Sequence, residues 1–148
     1  MTMQREQSAG YMTNWAARLF AKAIDQRLKE IGVSSGQLPV FFALADGKAL
    51  TQKQLTTIAS IEQPTMAATL ARMARDGLVQ RRPDPADGRS LLVSLTPAAR
   101  LKGELVQQAV AETNATALAL LDDAQRVALL GSLEKVVISL QGLLADEG

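Results

Sequence analysis

The sequence predicts a mainly helical α+β chain of about six helices, interrupted once by a β-hairpin that makes a two- or three-stranded wing. Three observations carry this. Apolar residues recur at helical spacing along most of the 148 residues. The period shortens to a strand-like run only between Gly77 and Pro97. Capping residues bracket almost every helical stretch. The length suits one domain, or one domain with an appended dimerisation arm.

Each element has its own signal. The first helix spans about Gly10 to Glu30, with Tyr11, Trp15, Leu19, Ile24 and Leu28 spaced by four or five, and Ile31-Gly32 stops it. A second starts after Ser34-Ser35, carries Leu38, Phe41, Phe42 and Leu44, and ends at Asp46-Gly47. Thr51 followed three residues later by Gln54 fits a capping box, opening a short helix with Leu55 and Ile58 that fades at Ala59-Ser60. The fourth begins between Glu62 and Pro64, the proline suiting the first turn, and aligns Met66, Leu70 and Met73 before Asp76-Gly77 closes it. Leu78-Val79 and Leu91–Leu95 are apolar runs on either side of Pro83–Gly88, so they predict a hairpin with a long tip. Thr96-Pro97 caps a long helix carrying Leu101, Leu105, Ala109 and Leu118 or Leu121. Asp122 and Gln125 open the last helix, where Leu130, Leu133, Val137, Leu140 and Leu144 step 3-4-3-4 and Leu129, Val136 and Leu143 widen the stripe.

Composition removes several functions. Without cysteine there is no disulfide framework, thiol nucleophile or thiolate metal site; without histidine there is no His-based triad and no zinc site of the usual N/S type. No metal or catalytic residue is expected, because the remaining carboxylates, lysines and Tyr11 sit in no recognised catalytic motif. The longest uncharged run, Ile31 to Ala45, is fifteen residues broken by glycines, serines and Pro39, short of the roughly 20 apolar residues a bilayer span needs. The polar N-terminus lacks a signal-peptide core, so the expectation is a soluble, cytoplasmic protein with no membrane partner.

Net charge is only +1, but it is unevenly spread. Residues 72–102 hold seven Lys/Arg against three Asp/Glu, while residues 103–148 hold two against seven. A basic centre before an acidic, leucine-rich end suits one segment meeting a polyanion and another not, although a solvated mixed surface gives the same count.

The order of elements sharpens this. A short helix, a tight turn and a second helix (51–76) form a helix-turn-helix, whose second helix enters the DNA major groove, and the hairpin (78–95) follows as a wing. Gln63, Pro64, Thr65, Ala67, Ala68 and Thr69 are small or amide-bearing, allowing close approach and hydrogen bonds to base edges. Arg72 and Arg75 suit phosphates or internal pairing. Of Arg81 and Arg82, adjacent on a strand and so on opposite faces, one can point at DNA. Asp87, two residues before Arg89, is placed to hold that guanidinium extended toward a narrow minor groove. Tyr11, Trp15 and the methionines fit either a core or interface stripe or a ligand pocket. A winged-helix protein-interaction module without sequence-specific DNA binding is the alternative function.

On LTQKQL (50–55), QPTMAATLARMARDGLV (63–79), the arginines at 81–82 and DGRSLLVSLT (87–96), the sequence resembles the MarR family of multiple antibiotic resistance regulators, over residues 10–145. The resemblance implies a single domain (10–145) with a DNA-binding part at 34–96 and dimerisation helices at 10–31 and 97–145. It implies a homodimeric transcriptional regulator, most often a repressor, on a pseudo-palindromic operator in double-stranded DNA. It also implies a small aromatic or phenolic effector, with no pocket residue assigned, and no other cofactor. Residue by residue, Gln63, Pro64, Thr65 and Ala67 match base-facing positions, and Thr51 and Gln52 match backbone contacts. Arg89 matches the wing arginine and Asp87 its partner, with Arg72 added as a DNA contact. Ala68 stands where many relatives carry a basic residue, and the lack of cysteine excludes the peroxide-sensing branch.

Overall fold

In the computed structural model, which describes residues 2–146, the chain divides into two compact units: the first ends at Ala111 and the second begins at Glu112. The first unit runs α1 (Ala9–Leu28), α2 (Leu38–Ala43), β1 (Leu50–Thr51), α3 (Gln52–Ala59), α4 (Gln63–Arg75), β2 (Val79–Asp84) and β3 (Asp87–Leu95). It also takes in most of α5 (Pro97–Ala117); α6 (Asp123–Asp146) lies in the second unit.

The sheet has three antiparallel strands in the order β1-β3-β2. Leu50 pairs with Val93 and Thr51 with Leu92, so β3 sits between the hairpin partner and the two residues that precede α3. This third strand is too short to show a period in sequence. It ties the start of α3 directly to the wing.

Under the sheet lies one core built from every element of the first unit. Leu28, Val40, Leu44, Leu55, Met66, Leu70, Met73, Leu78 and Val93 are fully buried, and Ala99, Val106 and Ala109 bring α5 onto the same cluster. Local chemistry sets the joints. Gly32, at φ +81°, and Gly77, at φ +73°, take the left-handed conformation that ends the α1 segment and α4. The Asp25 carboxylate accepts from the Ser35 amide (2.6 Å) and the Ser35 hydroxyl (3.0 Å), fastening the start of α2 to α1. At the N-terminal end the Arg5 guanidinium lies 4.5 Å from the centre of the Trp15 ring, with Tyr11 edge-on to that ring. Arg5 also holds the Glu6 carboxyl below the ordinary carboxylate range through a 2.8 Å bond.

Four expectations are corrected. Strands β2 and β3 run to Asp84 and Asp87, which pair across the ladder, so the hairpin tip is tight rather than long. Pro83 is accommodated by an irregularity at Pro83/Asp84. Helix α5 ends at Ala117, leaving Leu118 and Leu121 in the following turn, where the Arg126 Nε–H donates to both carbonyls (3.2 and 3.1 Å). On α5 the buried positions are Ala99, Val106, Ala109 and Thr113, while Leu101 is 82% exposed and Leu105 also faces outward. The fourth is the stripe expected on α6, whose apolar residues are not confined to one face. By length and composition alone the helix would also suit a membrane span, with a mean hydropathy of 1.6 over its best window. Its leucines and valines face several directions, and none of its side chains is buried.

Candidate nucleic-acid interface

The first part of the site is the paired start of α3 and α4. Thr51 caps α3: its hydroxyl accepts from the Gln54 amide (3.2 Å) while the Gln54 side chain accepts from the Thr51 amide (2.9 Å). This reciprocal pair satisfies two amides that would otherwise lack partners and sets the direction of the helix. Ser60, in the left-handed region at φ 53°, ends α3 and turns the chain into α4. Pro64 lies in the first turn of α4, where its missing N–H removes no helical bond.

Helix α4 has one buried row, Met66, Leu70 and Met73, which anchors it to the core. Gln63, Pro64, Thr65, Ala68, Arg72 and Arg75 are exposed, and Ala67 is half-buried at the edge of the packed side. The open end of α4 therefore offers an amide, a rigid ring, a hydroxyl and small methyl surfaces. Between the two helices, the Gln52 amide nitrogen donates to the Gln63 side-chain oxygen at 3.1 Å. Neither sequence position announces this bond; eleven residues of separation across a turn hide it.

Of the two arginines on α4, Arg75 pairs with Asp76 at 3.2 Å. The Arg72 Nε–H instead donates to the Ala68 carbonyl of its own helix (3.4 Å), leaving its guanidinium on the exposed face. Internal pairing thus falls to Arg75.

The second part is the wing. Two aspartates fasten its tip: Asp84 accepts from the Ala86 amide (2.9 Å), and Asp87 accepts from the Arg89 amide (3.0 Å) and the Ser90 hydroxyl (3.2 Å). The expected grip of Asp87 on the Arg89 guanidinium is replaced by a grip on the Arg89 backbone. A two-residue spacing suits a side-chain-to-amide turn, which competes directly with the longer reach to a guanidinium. Arg89 is exposed on this fixed backbone. Register places Arg81 opposite Val93 and Arg82 opposite Leu92, so the two arginines leave opposite faces of the sheet and both are exposed. At the wing base the Thr96 hydroxyl donates to the Gly77 carbonyl (2.6 Å) and accepts from the Ala99 amide (3.1 Å), locking the end of α4 to the start of α5.

A separate cavity of about 660 Å³ opens in the first unit beside α2 and the start of α5. Phe41, Phe42 and Val106 give it apolar walls, and Arg100, Asp46 and Glu104 give it one cationic and two acidic groups. Tyr11 and Trp15 do not line it. Among the described residues no cluster of acidic groups could hold a metal ion.

Known proteins share this arrangement. The MarR family model matches residues 31–90, which hold the helix pair and most of the wing. An uncharacterised HTH-type transcriptional regulator of Bacillus subtilis, YwoH, is 36% identical over 94 residues, covering 64% of this chain and 68% of the relative. The crystal structure of a probable transcriptional regulator from Pseudomonas aeruginosa superposes with a TM-score of 0.82 at 29% identity, covering 90% of this chain and 99% of that one. A MarR variant from E. coli, complexed with operator DNA, superposes with a TM-score of 0.79 at 22% identity, over 86% and 91% of the two chains. With its capped helix pair, three-stranded wing and shared sequence, the chain belongs to the MarR family and is a winged-helix transcriptional regulator.

Proposed function

We propose that the protein represses transcription as a homodimer, in the cytoplasm, by binding a pseudo-palindromic operator and releasing it when a small molecule occupies the cavity beside α2. The observation that carries this reading is that one compact unit holds both an exposed α4 N-terminus of small and amide groups and a basic wing whose tip is tied by Asp84 and Asp87. Gln63, Pro64, Thr65 and Ala67 face base edges in the major groove. Thr51, Gln52 and Arg72 meet the phosphate backbone. Arg89, set by Asp87, enters the adjacent minor groove. A MarR variant from E. coli with the same fold has been captured with operator DNA, which supports DNA as the partner. The matching family and the relative YwoH are transcriptional regulators, which supports a chain that acts by binding.

The second copy covers α6. A helix apolar on all sides needs a covering surface, and a self-complementary interface built by residues 10–31 and 97–145 provides one. Glu134 and Lys135, in the middle of α6, argue for this over a bilayer, where ionised groups near the centre are costly.

The effector suits the cavity chemistry: a ring against Phe41, Phe42 and Val106, a phenolic hydroxyl donating to Asp46 or Glu104, and an acidic group, where present, facing Arg100. A panel of phenols and aromatic acids should raise Tm for those that bind, and the same compounds should weaken DNA binding. The reading itself is tested by titrating duplex DNA at increasing salt. The expected log–log slope is about −0.9 per phosphate neutralised. A flat response would favour a protein-interaction module.

A further inference from the structure

We propose that Gln52 is a specificity-positioning residue: its hydrogen bond to Gln63 fixes which way round the Gln63 amide stands, and so commits Gln63 to one base, adenine, at one position of each half-site. The proposal rests on the DNA-binding reading above and deepens it. An exposed glutamine amide is free to turn over, exchanging its oxygen and nitrogen ends at little cost. Such a side chain offers a donor or an acceptor to whatever base lies below it and discriminates weakly. Here the Gln52 Nε2–H donates to the Gln63 Oε1 at 3.1 Å, which pins the oxygen end beside α3. That oxygen has two lone pairs, so one stays available, and the Gln63 Nε2 keeps both of its N–H groups. An adjacent acceptor and donor held in fixed order match the N6–H and N7 of adenine, the bidentate pairing a glutamine makes best in the major groove.

The surroundings hold the pair in place. Gln52 is the first residue of α3, directly after the Thr51 cap, and its carbonyl accepts from the Thr56 hydroxyl at 2.8 Å. Gln63 opens α4 just before Pro64. Both stems therefore leave helix ends whose directions are set by capping or by proline. Gln52 is half-buried while Gln63 is exposed, so the inner amide supports the outer one.

The test uses the full-length protein and a duplex pool randomised over one half-site, with sequences bound by the wild type, Gln52→Ala, Gln52→Glu and Gln63→Ala recovered. Affinities are then measured by anisotropy on the best duplex and on duplexes changed at single positions. The wild type should prefer adenine at one position by about 5- to 150-fold, and Gln63→Ala should abolish that preference. Gln52→Ala should weaken binding to every sequence through its lost backbone contact. It should also cut the adenine preference at that position by roughly threefold or more, with ratios at other positions kept. Gln52→Glu presents an acceptor instead of a donor, draws the Gln63 nitrogen toward itself, and should move the preference away from adenine. A Gln52→Ala protein that loses affinity uniformly, with its adenine ratio unchanged, would overturn the proposal, as would a preference indifferent to Gln63→Ala. Wild-type protein that fails to bind any duplex at low salt would overturn the parent reading as well, which separates the two failures.

Discussion

The wing arginine shows how a single residue is prepared for its task. Asp87 spends both carboxylate oxygens on the turn, one on the Arg89 amide and one on the Ser90 hydroxyl, so the guanidinium is carried by an ordered backbone. Arg89→Ala should weaken operator binding roughly fivefold or more, by anisotropy, and leave the oligomeric mass unchanged. Asp87→Ala should have a smaller effect, because it loosens the tip without removing the charge. Unchanged affinity in Arg89→Ala would mean the wing does not touch DNA. That Asp87 and Arg89 belong together was legible from their spacing. Which atoms meet was not, because the turn amide and the guanidinium compete for the same carboxylate and only the backbone conformation decides between them. The Gln52–Gln63 bond was illegible for a similar reason, since it depends on the angle between two helices.

At the scale of elements, capping chemistry read most directly. The reciprocal bonds of Thr51 with Gln54, and of Asp122 with Gln125 (2.9 and 2.8 Å), stand where the sequence places them. Thr51→Ala should cost about 1 kcal/mol, lowering Tm by roughly 2–4 °C for a chain of this size. Such a loss is measurable by calorimetry, and an unchanged Tm would mean the cap is dispensable. Apolar periodicity read less well. Leu101, Leu105 and Ala109 look like core positions, yet of the three only Ala109 is buried, joined by the smaller Ala99 and by Val106. A long helix that serves two apolar surfaces has two interleaved stripes, and spacing alone does not say which one faces the core of its own chain. Strand β1 decides for the three-stranded form of the wing, a choice the sequence leaves open because two residues carry no period. For α6 the large exposed residues on every side make the element itself a prediction. Leu133→Asp or Leu140→Asp should split or unfold the dimer, since a carboxylate buried without a partner costs several kcal/mol. A native dimer by light scattering would place those leucines outside the interface.

Across the whole chain, a net charge of +1 conceals a basic middle and an acidic end, and this division matches the proposed division of labour. Among the described residues, five of the nine exposed arginines (Arg72, Arg75, Arg81, Arg82 and Arg89) lie on α4 and the wing, while α6 is apolar with few charges. For a dimer with several phosphate contacts per protomer, the log–log salt slope should be steeper than about −5. The central claim is that two copies, joined through their helical ends, present two α4 helices at the pitch of B-form DNA. Its most direct test is affinity measured against duplexes carrying two copies of the selected half-site, inverted, with their separation varied one base pair at a time. The account predicts a sharp optimum at about 10 base pairs between centres, roughly 34 Å, with two protomers bound per duplex. Equal affinity at every separation, or saturation at one protomer per duplex, would contradict it.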